Sequence, residues 1–175
     1  MKSKLASLIF AVALVGAAPV AIAQDSTNRV SANTAWSVFV EDNPKECWAV
    51  STPKETVNTK DGRPVSVRRG TILMMISWRP AQNIAGEVYF TGGYPFKPGS
   101  TVELTVGSEK FQLFTKGEDA WPASPEDDAK IIAAMKRGAD AVAVAFSKRG
   151  TRTQDTFNLL GFTAAVEDAA KRCGG

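Results

Sequence analysis

Histidine is absent from this 175-residue sequence. Its absence removes the usual Ser-His-Asp and Cys-His arrangements and the commonest general base near neutral pH. It also removes histidine-rich zinc sites, and the two cysteines present are too few to build a zinc cage. No G-x-x-x-x-G-K-[ST] phosphate loop and no G-x-G-x-x-G turn occurs. Charge of one sign is scarce as well. Twenty-one basic residues face 18 acidic ones, a mixture too even for a nucleic-acid groove or a polybasic membrane patch. Repeats and low-complexity tracts are also missing. The reading predicts no catalytic residues, no metal site and no cofactor.

What is present begins with a leader. Lys2 and Lys4 precede an apolar run from Leu5 to Gly16, and Ala21-Ile22-Ala23 supplies small residues before a cleavage point. Residues 1–23 read as a secretory signal peptide, expected as a helix detached from the domain. The alternative, a membrane anchor, suffers from a short apolar core, Pro19 at its end and polar Gln24-Asp25-Ser26 directly after it. No cysteine follows the run to take a lipid. The mature chain is expected to start at Gln24, with no stable transmembrane segment, in the periplasm or secreted from a bacterium. Cleavage takes two lysines and no acid, so the net charge falls from +3 to +1. The length that remains suits one domain with a real core. Residues 24–34 are polar and read as a flexible lead-in, leaving a single domain over 35–175.

That domain is organised around a stretch of strands. Val88 and Phe90, then Val102, Leu104 and Val106, then Phe111 and Leu113 alternate at the period of a half-buried strand. The reading is a β-meander, punctuated by Gly92-Gly93, Pro98-Gly99 and Gly107-Ser108. Upstream, Trp36–Val40 and Glu46–Ser51 form a hairpin through Asp42-Asn43-Pro44. Thr52–Pro64 reads as a surface loop with a small hairpin tipped by Asp61-Gly62. Ile72–Trp78 is apolar throughout and is expected to be a central strand buried on both faces. Downstream, Ser124, Pro125 and Glu126-Asp127-Asp128 are an N-cap, a first-turn proline and carboxylates that complement the positive helix end, giving a helix over 125–137. Ala141–Phe146 and Thr151–Phe157 pair as strands. A second helix covers 163–172 with Thr163 as N-cap, and it places Phe162, Val166, Ala169 and Cys173 on one face. The predicted fold is mainly β, an antiparallel β-sandwich or flattened barrel with two short helices.

Two cysteines in an exported chain invite one disulfide, Cys47 to Cys173; two separate buried thiols are the alternative. Tyr94-Pro95-Phe96 sits in a turn where polar residues are the rule, and Trp78-Arg79 ends a strand in the same way. Trp78, Arg79, Tyr94 and Phe96 are therefore candidate anchors for a partner, because aromatic and arginine side chains on loops commonly anchor interfaces. The alternative is that the rings cap the ends of the sandwich. Arg63, Arg68 and Arg69 could meet an acidic partner or form a solvated face. Glu87 with Glu103, or Glu118 with Asp119, could serve glycoside hydrolysis, although exposed strand and turn carboxylates usually only solvate.

Trp36-Ser-Val-Phe-Val40, the Cys47 strand, Gly93-Tyr-Pro-Phe-Lys-Pro-Gly99, Met135-Lys-Arg-Gly138 and Leu159-Leu-Gly-Phe-Thr-Ala-Ala165 follow one another in an order and spacing that resembles the invasion-associated locus B family of exported bacterial proteins. The resemblance spans about residues 35–173. It implies a periplasmic or surface-associated β-rich protein, linked by name to host-cell invasion, with no established catalytic site, and it supplies no ligand; the function expected here is non-catalytic binding of a protein or envelope component. Family members often carry a cysteine four residues after the tryptophan of the first strand. Here Val40 stands in that place, which leaves Cys47 to find Cys173. The alternative function is a carboxylate-dependent enzyme acting on an envelope polysaccharide.

Overall fold

The computed structural model describes residues 28–174. The signal peptide expected over 1–23, with its detached helix, lies outside the described residues. Within them the strands are β1 (Arg29–Asn33), β2 (Trp36–Asp42), β3 (Lys45–Ser51), β4 (Glu55–Lys60), β5 (Arg63–Pro64), β6 (Leu73–Arg79), β7 (Ile84–Thr91), β8 (Thr101–Val106), β9 (Glu109–Lys116), β10 (Asp119–Trp121), β11 (Asp140–Phe146) and β12 (Arg152–Asn158). Helix α1 (Pro125–Arg137) precedes β11, and α2 (Phe162–Arg172) follows β12. All twelve strands join one sheet in the order β1-β2-β3-β6-β7-β10-β9-β8-β11-β12-β4-β5, and the pairings are antiparallel. The sheet curls on itself. The Trp36 indole donates to the Asn158 carbonyl at 2.9 Å and the Ala35 amide to that of Leu160 at 3.3 Å, bringing β2, near one edge, back to the end of β12, near the other. The result is a flattened barrel.

The period-two pattern fills its interior. Trp36, Val38, Ala49, Met74, Ile76, Val88, Phe90, Leu104, Leu113, Ala143 and Phe157 are fully buried, and Phe90 meets Phe157 edge-on with ring centroids 6.1 Å apart. Small alanines, Ala141, Ala143 and Ala145, make up the buried face of β11. Both helices add to the core, α1 against β7 and α2 against β1, β2, β3 and β6. Phe162 of α2 packs edge-on against Trp36 at 4.8 Å, and Cys173, just past the helix end, is bonded to Cys47 with a Cα separation of 6.0 Å. That bridge closes a sequence separation of 126 residues. In the register Val40 stands directly across from Cys47 and Trp78 lies on its other side.

Local sequence signals explain most boundaries. Ser124 caps α1 by accepting from the Asp127 amide at 3.2 Å, with Pro125 opening the helix and Gly138 ending it. The 52–64 stretch holds the expected small hairpin, β4–β5, turned at Asp61-Gly62, but it is not the surface loop expected, because β4 also pairs with β12 along Glu55–Thr59 and extends the sheet.

Four further expectations need correction. Arg29–Asn33, inside the stretch read as a flexible lead-in, is a strand that pairs with β2. The three strands of the 86–114 stretch are not a simple meander: β8 and β9 form the hairpin, but the short β10 lies between β9 and β7. β6 buries one face completely and half-exposes Leu73 and Met75 on the other. Helix α2 is capped by Gly161, not Thr163, with φ at 89°. A side chain on Gly161 would have its Cβ 1.9 Å from the Asn33 carbonyl oxygen, so the close approach of β1 as well as the left-handed turn demands glycine there.

Candidate functional site

Three connecting segments meet at the end of the β11–β12 hairpin remote from both helices: residues 65–71 after β5, residues 92–96 after β7, and the 147–151 turn. Backbone hydrogen bonds stitch them together. The Gly70 amide donates to Gly93 at 2.8 Å, the Phe96 amide to Gly117 at 2.8 Å, the Lys97 amide to Phe146 at 2.8 Å, and the Lys148 amide to Pro95 at 3.0 Å. Gly93 has φ at 68°, and a Cβ there would lie 2.6 Å from the Gly70 oxygen, so the contact between the first two segments exists only with glycine. These bonds satisfy backbone groups that no strand ladder pairs here.

Beneath these loops lies a buried ion pair. Arg69 donates from both terminal nitrogens to the two oxygens of Asp155, at 2.7 and 2.6 Å, and from Nε to the Gly92 carbonyl at 2.9 Å. Nη1 also reaches the Asn58 side-chain oxygen at 3.4 Å. Side-chain exposure is 6% for Arg69 and 0% for Asp155. The guanidinium sits 5.0 Å from the Tyr94 ring centroid, and the Tyr94 hydroxyl shares a 2.6 Å hydrogen bond with the Thr153 hydroxyl. Burial raises the Tyr94 pKa, opposed by the Thr153 hydrogen bond and the Arg69 charge. A buried charge pair of this kind needs its full set of partners to offset desolvation, and here it has them.

Above the pair opens a cleft of about 610 Å³, lined by Val67, Arg68, Arg69, Tyr94, Pro95, Glu118, Lys148, Arg149 and neighbours. Arg69 spends its donors on the protein. Arg68, Lys148 and Arg149 do not: all three are exposed, and among the described residues none forms an ion pair. Against them stands one lining carboxylate, Glu118. The cleft is therefore a local concentration of positive charge on a chain whose total is +3.

A second, shallower cleft of about 360 Å³ runs between the start of α1 and the β7–β10–β9 surface, lined by Glu87, Phe114, Trp121, Ser124 and Asp128 among others. Phe114 and Trp121 are cross-strand partners and exposed, at 53% and 37%. Asp128 accepts from the Val88 amide at 2.8 Å. Its pKa is raised to about 6, chiefly by burial, with the Val88 hydrogen bond pulling the other way and Glu87 and Asp127 adding to the rise. Glu87 is held by Arg79 and by Ser77.

The candidates read from sequence separate. Trp78 and Phe96 are core residues, at 6% and 5% exposure, and so cannot form an exposed anchoring patch with Tyr94. Phe96 packs against Phe90 and Tyr94, and truncating such a ring costs about 3–5 kcal/mol. Arg79 pairs with Glu87, and its buried Nε has no partner. Tyr94 alone of the four lines the basic cleft. Of the arginine cluster, Arg68 reaches the cleft, Arg69 is structural, and Arg63 lies on β5 away from it. The carboxylate pairs also dissolve: Glu103 pairs with Lys110 on β8–β9, and Asp119 accepts from the Tyr89 hydroxyl. Sequence reasoning passed over Asp155, Lys148 and Arg149. The doublets Arg68-Arg69 and Lys148-Arg149 were the available signal, but 78 intervening positions hide their meeting. Among the described residues, no cluster of three metal-ligating side chains occurs and no helix is long and apolar enough to cross a membrane.

Comparison with known proteins follows the fold. Among solved structures the chain is similar to invasion associated protein B from Bartonella henselae, with 16% sequence identity, 83% of this chain and 98% of that chain covered, and a TM-score of 0.56. At that identity the likeness is one of fold. No curated protein matches significantly. The model of the invasion associated locus B (IalB) protein family matches residues 36–170. With most of its length so matched, the chain belongs to the invasion associated locus B family.

Proposed function

We propose that this is an exported bacterial protein of the envelope or cell surface that works without catalysis, by binding a protein or envelope component at the basic cleft. The observation that carries the reading is the contrast inside the cleft: Arg69 is fully committed to Asp155 and Gly92, while Arg68, Lys148 and Arg149 stand unpaired around it. A protein gains nothing for its own stability from three unpaired cations on converging loops, whereas a partner with opposite charge gains rate and specificity. Export is supported by the Ala21-Ile22-Ala23 leader and by a disulfide, which persists in oxidising compartments. Intact mass of the exported protein tests that part, with a start at Gln24 expected. The binding part is tested by capture from solubilised envelope and host-surface fractions on the immobilised, natively processed protein. The captured component should be lost with Arg68→Gln/Lys148→Gln/Arg149→Gln, and capture unchanged by that variant would contradict the reading.

A second reading, a carboxylate-dependent enzyme acting on an envelope polysaccharide, draws on the smaller cleft. Asp128, with a pKa near 6, has the acidity of a general acid, and Phe114 with Trp121 offers rings on which a sugar could stack. It ranks second because Glu87 is already tied to Arg79. Release of reducing ends from purified envelope polysaccharide by the native protein, abolished by Asp128→Asn, would establish it; no release by the native protein would end it.

A further inference from the structure

The chemistry of the basic cleft narrows what it can hold. Its volume of about 610 Å³ lies within the range of about 300–1,000 Å³ common to small-ligand sites. Its cations come from two segments, Arg68 from one and Lys148 with Arg149 from the other. A carboxylate carries one charge and two oxygens, and one arginine fork satisfies it. A phosphate monoester carries a charge of about −1.5 to −2 at neutral pH and offers three oxygens to three separate donors. The cleft also has an apolar component. Val67 is exposed, Pro95 is exposed, and the half-buried Tyr94 ring is fixed by Arg69 and Thr153. Inorganic phosphate alone would leave those three groups in water.

Resting on the reading of the cleft as the partner site, we propose that it binds a phosphate monoester carried on an apolar body, with Arg68, Lys148 and Arg149 holding the phosphate and Val67, Tyr94 and Pro95 holding the body. Such a group occurs as a lipid headgroup or on a free phosphorylated small molecule. The attraction depends on the cleft rather than on the nearly neutral chain, so it weakens with salt and is lost by changes at the cleft alone.

Calorimetric titration of the natively processed protein tests this with four probes: inorganic phosphate, phenyl phosphate, dihexanoyl phosphatidic acid below its micelle concentration, and hexanoate. One of the two phosphate monoesters should bind one to one, about tenfold or more tighter than inorganic phosphate and hexanoate. A preference for dihexanoyl phosphatidic acid assigns a lipid source, and a preference for phenyl phosphate a free small molecule. Arg68→Gln/Lys148→Gln/Arg149→Gln should lose that binding by about tenfold to a hundredfold. Lys45→Gln/Lys110→Gln/Lys130→Gln, an equal charge change on surface ion pairs outside the cleft, should keep it. Saturation by neither ester at millimolar concentration, equal binding of hexanoate, or equal loss in both triple variants would overturn the inference. If the cleft variant loses its captured envelope component while neither ester binds the native protein, this inference falls and the partner site stands. If the esters bind and the variant loses them while capture is unchanged, the phosphate site stands and the partner reading falls.

Discussion

The helix-covered side of the barrel and the cleft end are both tied together, but by different forces. At the first, Cys47 and Cys173 are joined covalently beside Trp78, and Phe162 packs on Trp36 at the opposite end of α2, so closure rests on a bond and on apolar burial. At the second, Arg69 and Asp155 are joined by charge and hydrogen bonds, and three loops are tied by backbone amides. The comparison teaches where a site can be built. An apolar seam excludes water and charge, and it presents nothing for recognition. A buried ion pair anchors polar loops whose outer side chains remain available, at the cost of an arrangement that fails if one partner is lost.

The largest expected effect breaks the covalent side. Cys47→Ser should lower stability by about 4–5 kcal/mol on the chain-entropy account of so long a loop, leave a free thiol at Cys173, and raise amide exchange mainly after Leu160, because a short terminal helix has few other holds. Thiol titration and exchange mass spectrometry check both. Slightly smaller is the loss at the other end. Asp155→Ala should cost about 3–5 kcal/mol by stranding the buried Arg69 charge, while Arg69→Met/Asp155→Leu should come back close to the parent. Denaturant unfolding distinguishes the two variants. A single mutant as stable as the parent would mean that the pair contributes nothing to holding the loops.

The smallest effect sharpens the comparison through two carboxylates. Asp155 has its arginine, whereas Asp128, on the helix side, has no cation partner among the described residues and is half-buried. Its pKa of about 6 lies above the unfolded value near 3.8. The folded state therefore binds the proton more tightly than the unfolded one, and the associated stability is complete below pH of about 4 and lost as pH rises through about 6. Discounted for solvent screening of a half-exposed group, the change is about 1 kcal/mol. Asp128→Asn should flatten that part of the pH profile and leave the protein slightly more stable than the parent at pH 7. A profile identical in both proteins would contradict the assignment.

The elements that were legible from sequence carry their cause locally. Ser124-Pro125, the alternation of Val142 and Val144 with alanines, and the helical spacing of Phe162, Val166 and Cys173 each act over a few residues, and each yields the structure expected of it. What escaped depends on neighbours in space. β10 is three residues long and joins β7 to β9 only because the sheet brings them together. Trp78 and Phe96 looked like loop anchors because a strand end and a proline-rich turn are usually exposed, yet the curled sheet closes over both. Asp155 sits in a threonine-rich strand as an ordinary polar residue, and only its contact with Arg69 makes it the support of the cleft. The cleft itself was half visible, since both basic doublets can be read in the chain but not their convergence.

The central claim is that recognition belongs to the cleft end and closure to the disulfide end. Capture of the envelope component by Cys47→Ser/Cys173→Ser and by Arg68→Gln/Lys148→Gln/Arg149→Gln, each measured below its own melting temperature, separates the two. The account predicts that the disulfide variant melts far lower yet captures as the parent does, and that the cleft variant melts within a few degrees of the parent and captures nothing. Capture retained by the cleft variant and lost by the folded disulfide variant would place recognition at the wrong end of the molecule and contradict it.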